Sequence, residues 1–395
     1  MNILFVTGMF VKENQSDIGG MPNYIYKAAT ALQQRGHKVY VLTADDRTYN
    51  WEYKGIPIYS VKEFPHVTRF AWIAYGVQNI LRELVLQKKI GELVSMSDID
   101  IIQYTGWFGV GLFHNRKRGI PAVMRMSSYA KVQLVANFNA RQISVISKME
   151  CWACRNMNGI FAPSKVIARE FSKDVHREVK VIETPFQLEI SRENWDFSLY
   201  NEKLKGTKYF LFFGRLTPDK GILTIARSLY QMLNTHKDIS FVFAGNLTKI
   251  EGKDVLDILN DYGKEHKERI IYLGALGKEQ LYPVIDGAYA VLIPSLMDNL
   301  PNSCMEAMYL KKVVIGTRGT SLDQLIEDDV SGLLMEPDSK DMLISRMNEV
   351  LEMPLEVMRR IGENAHRRIK LLNPEVTIKQ LEEYYMRMLE KSRTD

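Results

Sequence analysis

The sequence predicts an α/β protein built from two doubly wound, parallel-sheet domains. Three observations predict it. The chain has 395 residues, more than one typical hydrophobic core accommodates. Short apolar runs alternate with amphipathic helical stretches from end to end, the pattern of parallel strands covered by helices on both faces. Those runs fall into two series separated by a stretch without periodicity.

In the first series Ile3–Val6, Val39–Thr43, Ile56–Val61, Ile99–Tyr104 and Ala122–Met126 read as strands. In the second, Phe210–Phe213, Ile239–Phe243, Ile270–Leu273, Ala290–Ile293 and Val313–Gly316 do. Apolar residues recur at helical spacing in Tyr24–Arg35, Leu223–Leu233 and Lys340–Leu351. The stretch from Pro185 to Lys208, with Glu183-Thr184-Pro185 at its start, marks the break between domains. The predicted domains are residues 1–190 and 207–373, and a charged helix over 374–391 closes the chain. No repeat of solenoid period occurs.

Composition narrows the function classes. At 46% hydrophobic and 25% charged residues the chain is globular, neither disordered nor fibrous. The opening MNILFVTGMFVKENQ reads as lacking a secretion signal, and no run reaches the roughly 18–20 apolar residues of a membrane span. Three cysteines argue against a disulfide framework and for a reducing, cytoplasmic setting. The net charge of +5 is uneven: Lys and Arg number 24 against 16 acids in residues 1–190, and 28 against 31 in the rest. A basic first half suits an anionic acceptor or peripheral contact with an anionic membrane, and equally a plain solvated surface. No basic patch interleaved with aromatics points to nucleic acid.

Three segments carry candidate chemistry. The first strand runs into a loop ending in Gly19-Gly20, followed by a helix from about Pro22. Glycines admit a ligand close to the backbone, and a helix N-terminus offers free N–H groups to an anion. A phosphate or sugar site and an ordinary turn both fit this loop. In Phe210-Leu-Phe-Phe-Gly214-Arg215-Leu216-Thr217-Pro218-Asp219-Lys220-Gly221, Arg215 and Lys220 follow the end of a strand. Open α/β sheets bind ligands at that end, and a forked guanidinium with a point-charge ammonium suits a diphosphate. An exposed pair of surface cations is the competing reading. In Ile293-Pro-Ser-Leu-Met-Asp298-Asn299-Leu300-Pro301-Asn302-Ser303-Cys304-Met305-Glu306, a strand ends, a polar loop turns and a helix starts near Pro301. Asp298 in the loop and Glu306 in the helix are carboxylates able to accept paired hydrogen bonds from vicinal hydroxyls. Ordinary surface acids are the alternative.

At these residues the sequence resembles the family 4 retaining glycosyltransferases of GT-B fold. The resemblance runs through Gly19-Gly20, Arg35-Gly36-His37, Phe161-Ala-Pro-Ser164, Gly214-Arg215, Lys220-Gly221, Phe243-Ala-Gly245, Pro294-Ser295, Glu306-Ala307-Met308 and Ser331-Gly332-Leu333. It implies two Rossmann-like domains facing a central cleft, with the terminal helix returning to the first domain. It implies that a nucleotide-diphosphate sugar is the donor and that no separate cofactor is needed. Arg215 and Lys220 would hold the diphosphate, Asp298 the transferred sugar with Asn299 and Leu300 beside it, and Glu306 the ribose. Gly19 and Gly20 would contact phosphate or sugar. Acceptors of the carbohydrate, lipid-linked or small-molecule kind all fit, as in surface-polysaccharide or glycoconjugate synthesis.

Three departures from the family pattern stand out. Asp298 replaces the usual Glu. Where relatives carry a histidine, this chain has Arg125-Met126-Ser127-Ser128-Tyr129, so Arg125, Ser128 and Tyr129 become acceptor-side candidates. Glu183-Thr184-Pro185-Phe186 replaces Asn-Gly-Val-Asp. No Asp-x-Asp is set to hold a metal beside the phosphates, so the transfer is expected to be metal-independent. A nucleotide-sugar epimerase, a non-catalytic partner subunit and a sugar-binding protein are the rival readings.

The remaining features read mostly as structure. Cys151-Trp-Ala-Cys154 lies in a helical stretch with no second pair for zinc. Cys304, near a helix start, is a core residue or an activated thiol shielded by nucleotide. Arg69–Leu86 is an aromatic amphipathic helix, packed in the core or laid on a membrane. Arg116-Lys117-Arg118 reads as a solvated helix end with His114 on the surface beside it.

Overall fold

The computed structural model describes residues 1–11, 20–63, 71–115, 118–133 and 139–394. It divides into one unit of Met1–Pro185 with Leu372–Asp395 and another of Phe186–Leu371. Each is a Rossmann-like α/β domain around a largely parallel sheet.

The first unit begins β1 (Asn2–Thr7), α1 (Gly20–Gln34), β2 (Lys38–Asp45), β3 (Asn50–Tyr53), β4 (Ile56–Lys62) and α2 (Ala71–Ser97). It continues with β5 (Ile101–Thr105), β6 (Ala122–Arg125), α3 (Ala130–Gln133), α4 (Ala140–Ala153), β7 (Gly159–Ala162), α5 (Lys165–Val175) and β8 (Lys180–Val181). The strands order as β3-β4-β2-β1-β5-β6-β7-β8, parallel except for the β3–β4 hairpin. In β1 the period-2 alternation sends Ile3 and Phe5 into one core and Leu4 and Val6 into the other. With both faces covered, the strands read as continuous apolar runs. The short strands β3, β7 and β8 were not legible that way, because two to four residues carry too little pattern.

The second unit holds α6 (Ser198–Lys203), β9 (Lys208–Phe213), α7 (Ile222–Thr235), β10 (Ile239–Ala244), a small β11–β12 hairpin (Lys249–Ile250, Lys253–Asp254) and α8 (Val255–Gly263). Next come β13 (Ile270–Tyr272), α9 (Lys278–Gly287), β14 (Ala290–Ile293), α10 (Asn302–Tyr309), β15 (Val314–Thr317) and α11 (Leu322–Leu325). Then follow β16 (Leu333–Met335), α12 (Lys340–Glu352) and α13 (Leu355–Lys370). Its six-stranded sheet runs β13-β10-β9-β14-β15-β16, all parallel. The stretch read as unstructured between the domains carries α6, too short for a periodic signal.

The chain ends in α14 (Pro374–Thr394), which belongs to the first unit. Ile378, Leu381, Tyr384, Tyr385 and Met388 join the core formed by α1 and one face of the first sheet. Glu382 accepts from Arg35 Nε at 2.6 Å and lies 2.6 Å from His37 Nε2. Gly159 is required beneath this helix, since a Cβ there would sit 2.3 Å from the Tyr384 hydroxyl.

Helix α2 differs from expectation. Arg69 and Phe70, where its pattern was read to start, lie outside the described residues. Its buried side carries Gln78, Asn79, Arg82, Glu83 and Gln87, while Val77, Ile80 and Leu84 are exposed. Several of these buried groups are bonded: Gln87 donates to Glu83 at 2.8 Å, and Glu83 accepts from the Gly111 amide at 3.0 Å, whereas Asn79 Nδ2 has no hydrogen-bond partner among the described residues. Sequence periodicity cannot reveal a polar core that neighbouring loops satisfy. His114, read as a surface residue, is likewise buried, with Nδ1 3.0 Å from the Tyr104 hydroxyl. Arg116 and Lys117 lie outside the described residues. Arg118 is not solvated as expected, for it donates to the Gln87 carbonyl at 2.8 Å. Among the described residues no helix is long and apolar enough to cross a membrane.

Candidate active site

The candidate site in the second unit grows from two loops at the carboxyl ends of adjacent strands. Strand β9 ends at Phe213, and the chain turns through Gly214 into a single 3₁₀ turn, Pro218–Lys220. Gly221 then opens α7 with a φ of 77°. A Cβ at Gly221 would lie 2.0 Å from the Pro294 carbonyl oxygen, so only glycine lets this turn meet the loop after β14. The Leu296 amide donates to the Asp219 carbonyl at 2.9 Å and ties the same two loops together.

That knitting places Lys220 Nζ 2.6 Å from Asp298 Oδ2. Ser295 Oγ donates to the same carboxylate oxygen at 3.2 Å, and the Asn299 amide donates to the other at 3.0 Å. Leu300 sits in the left-handed region with φ 53°, its amide held by Ser321 Oγ at 2.8 Å. A non-glycine residue there is uncommon, and the strain orients the chain into α10. Helix α10 starts after Pro301, with no side-chain cap and no acid in its first turn. Its leading N–H groups therefore present positive partial charge beside Asp298 and Lys220.

Glu306 is buried one turn into α10 and pairs with Lys278 Nζ. Lys278 opens α9 and was not read as a site residue. Its signal lay only in being a basic residue at a helix start, which any exposed lysine shares. Arg215 does not join the acids. Its side chain is 68% exposed, and its nearest partner is Asp219 at 3.5 Å. Cys304, read as a core cysteine or an activated thiol, is fully buried, and desolvation with the nearby Asp298 charge pushes its pKa far up. It is a core thiol, not an activated one.

In the first unit, Gly19 lies outside the described residues and Gly20 is the exposed first residue of α1. No described atom lies within 4 Å of where a Cβ on Gly20 would stand. Arg125 ends β6, is 3% exposed, and stacks 3.5 Å above the Tyr24 ring. Its Nη2 donates to Thr184 Oγ1 at 2.8 Å and its Nη1 to Ser127 Oγ. Ser128 is buried next to it. Tyr129 is buried against Phe171, and its hydroxyl donates to Asp174, which commits that group to bracing the segment. Cys151 and Cys154 are free thiols at the end of α4.

The two Rossmann-like α/β domains have the fold of GT-B glycosyltransferases. Residues 18–189 match the family described as Glycosyltransferase Family 4, and residues 194–368 match Glycosyl transferases group 1. Together the matches mark the chain as a GT-B glycosyltransferase of the family 4 type. It is 23% identical over 351 residues to an uncharacterised glycosyltransferase of Methanocaldococcus jannaschii, covering 85% of each chain. Sucrose-phosphate synthase from Thermosynechococcus elongatus superposes with a TM-score of 0.79 at 15% identity, covering 99% of this chain and 100% of that one. The Anabaena protein HepE, solved in complex with UDP-glucose, superposes with a TM-score of 0.72 at 18% identity, covering 97% and 99%.

Proposed function

We propose that this enzyme transfers a hexose with retention of anomeric configuration, without a divalent metal, in surface-polysaccharide or glycoconjugate synthesis. The observation that carries the donor assignment is the contact between Lys220 and Asp298, made by two loops at the carboxyl ends of neighbouring strands. Lys220, the leading N–H groups of α10 and the exposed Arg215 take the diphosphate. Asp298, flanked by Asn299 and Leu300, takes hydroxyls of the transferred sugar. Glu306, its carboxylate held by Lys278, takes the ribose hydroxyls. Arg125 and Ser128 of the first unit serve the acceptor side.

Breaking the anomeric bond places negative charge on the leaving phosphate. Lys220 and the end of α10, held by the two loops, stabilise that charge. The leaving group and the attacking hydroxyl share one face of the sugar, which gives retention. UDP-sugars are the first donors to try, because a structural neighbour was solved with UDP-glucose. The test is a thermal-shift screen of nucleoside diphosphates followed by transfer assays in chelator with NMR assignment of the product anomer. Stabilisation by a diphosphate and a retained anomer in chelator support the reading. An inverted product or loss of most activity in chelator overturns it.

A further inference from the structure

Arg125 carries a buried positive charge that no described carboxylate neutralises. Among the described residues no carboxylate lies within ion-pairing distance of it, and its hydroxyl partners Ser127 and Thr184 are neutral. Its Nε is buried without a hydrogen-bond partner. Lys278, by contrast, is compensated by Glu306, and Arg346 by Asp328 and Glu349. A buried charge without a counter-ion is costly. Burial draws the Arg125 pKa down to about 10, and only the tyrosines Tyr24 and Tyr385 act against that.

The position fits a ligand. Arg125 is the last residue of a central parallel strand, at the end where open sheets bind their substrates. Ser127, two residues on and bonded to Nη1, is half-buried. The Nε–Nη2 edge is a planar fork that matches two oxygens of a carboxylate or phosphate. Thr184 already occupies the Nη2 end of that edge, and its hydroxyl can turn to donate to an incoming oxygen.

We propose that Arg125, with Ser127 and Thr184, recognises an oxyanion, a carboxylate or a phosphate, carried by the second substrate of the transfer. This rests on the acceptor-side reading of the first unit given above. It makes that substrate an acidic sugar or a sugar phosphate.

The test uses the full chain carrying Lys220→Ala, so that phosphate bound at the donor site of the second unit does not contribute. Thermal shift and calorimetry are run with inorganic phosphate, glucuronate and glucose, with potassium chloride holding the ionic strength. A ligand selective for the folded state raises the apparent stability. Phosphate, glucuronate or both are expected to raise the melting temperature while glucose and chloride do not, and the responding anion identifies the oxyanion source. Arg125→Gln is expected to weaken that anion at least tenfold, and Arg125→Lys to keep part of the affinity. Absence of any anion response, or an equal response in Arg125→Gln, overturns the proposal. If Arg125→Gln does not fold, Thr184→Val keeps the guanidinium and removes one hydroxyl. Unchanged anion affinity in that variant also overturns it. A parallel titration of the wild-type chain with UDP reports on the second unit alone, so failure of the donor assignment is read separately.

Discussion

Lys220 Nζ and Asp298 Oδ2 lie 2.6 Å apart across 78 positions of sequence. Their side chains are only 21% and 12% exposed, so the pair is screened less than a surface ion pair. The pairing keeps both side chains oriented. In the proposed function the cation meets the donor phosphates and the acid the sugar hydroxyls, so an arriving donor would take over the hydrogen bonds of the pair.

Removing either partner tests that arrangement. Lys220→Ala is expected to lower kcat/KM about a hundredfold or more, on the order of 3–4 kcal/mol of transition-state stabilisation, and to weaken nucleoside diphosphate binding. Asp298→Asn is expected to lower kcat with little change in free-diphosphate affinity, because its role is toward the sugar. Steady-state kinetics and calorimetry with the free diphosphate separate the two. Equal, small effects of both changes would sink the assignment.

Gly221→Ala is expected to damage folding and donor binding together. The new methyl meets the Pro294 carbonyl oxygen at 2.0 Å, which is backbone and has little room to yield. The φ of 77° adds strain for any residue with a Cβ. Gly214→Ala, also at positive φ but with nothing within 4 Å of its Cβ, is expected to cost less. Chemical denaturation of the two variants side by side checks the order.

Cys304 is expected to resist alkylation in the folded protein at neutral pH, with or without nucleotide. Its thiol is fully buried, and both desolvation and the Asp298 charge disfavour the thiolate. Mass spectrometry after iodoacetamide treatment, with and without denaturant, reads this. Rapid native labelling at Cys304 would contradict it.

Two buried acids set a pH dependence. Burial raises Glu83 from 4.5 to about 7 and Glu150 from 4.5 to about 8. The folded chain therefore keeps protons that the unfolded chain has released. Their contribution to stability is greatest below about pH 4.5 and declines as pH rises through 7 for Glu83 and 8 for Glu150. Each titration is worth on the order of 1.4 kcal/mol per pH unit within its window. Both acids accept backbone amides of neighbouring segments, Gly111 for Glu83 and Ala130 at the start of α3 for Glu150. Melting curves of Glu83→Gln and Glu150→Gln between pH 5 and about 8.5 are expected to slope less than wild type. An unaltered slope in both variants would contradict the account.

Glu382→Ala is expected to destabilise the first unit by about 1–3 kcal/mol, since it strips charged hydrogen-bond partners from Arg35 and His37. Urea melts of the variant measure it. Deleting α14 is expected to be far worse, because five of its apolar side chains complete the core beside α1.

Much of the fold was legible before any coordinates. The five longer apolar runs of each series became strands because a sheet covered on both faces demands continuous hydrophobicity. The helix start at Pro301 was legible because proline has no N–H to lose there. What pattern could not carry were short strands such as Gly159–Ala162, and the polar residues of α2 that are buried along with Leu86, Ile90 and Leu93. The site divided the same way. The chain alone named Lys220, Asp298 and Glu306 as a cation and two acids on loops and helix ends.

Only the tertiary structure showed that Lys220 meets Asp298 while Arg215 stays exposed, and that Lys278 holds Glu306. Only it showed that Arg125 is buried without a counter-ion among the described residues. The physical reason is distance in sequence. Local propensity and periodicity act over one or two turns. A charge pair spanning 78 positions, or the lack of one around a buried guanidinium, exists only once separate loops have been packed together.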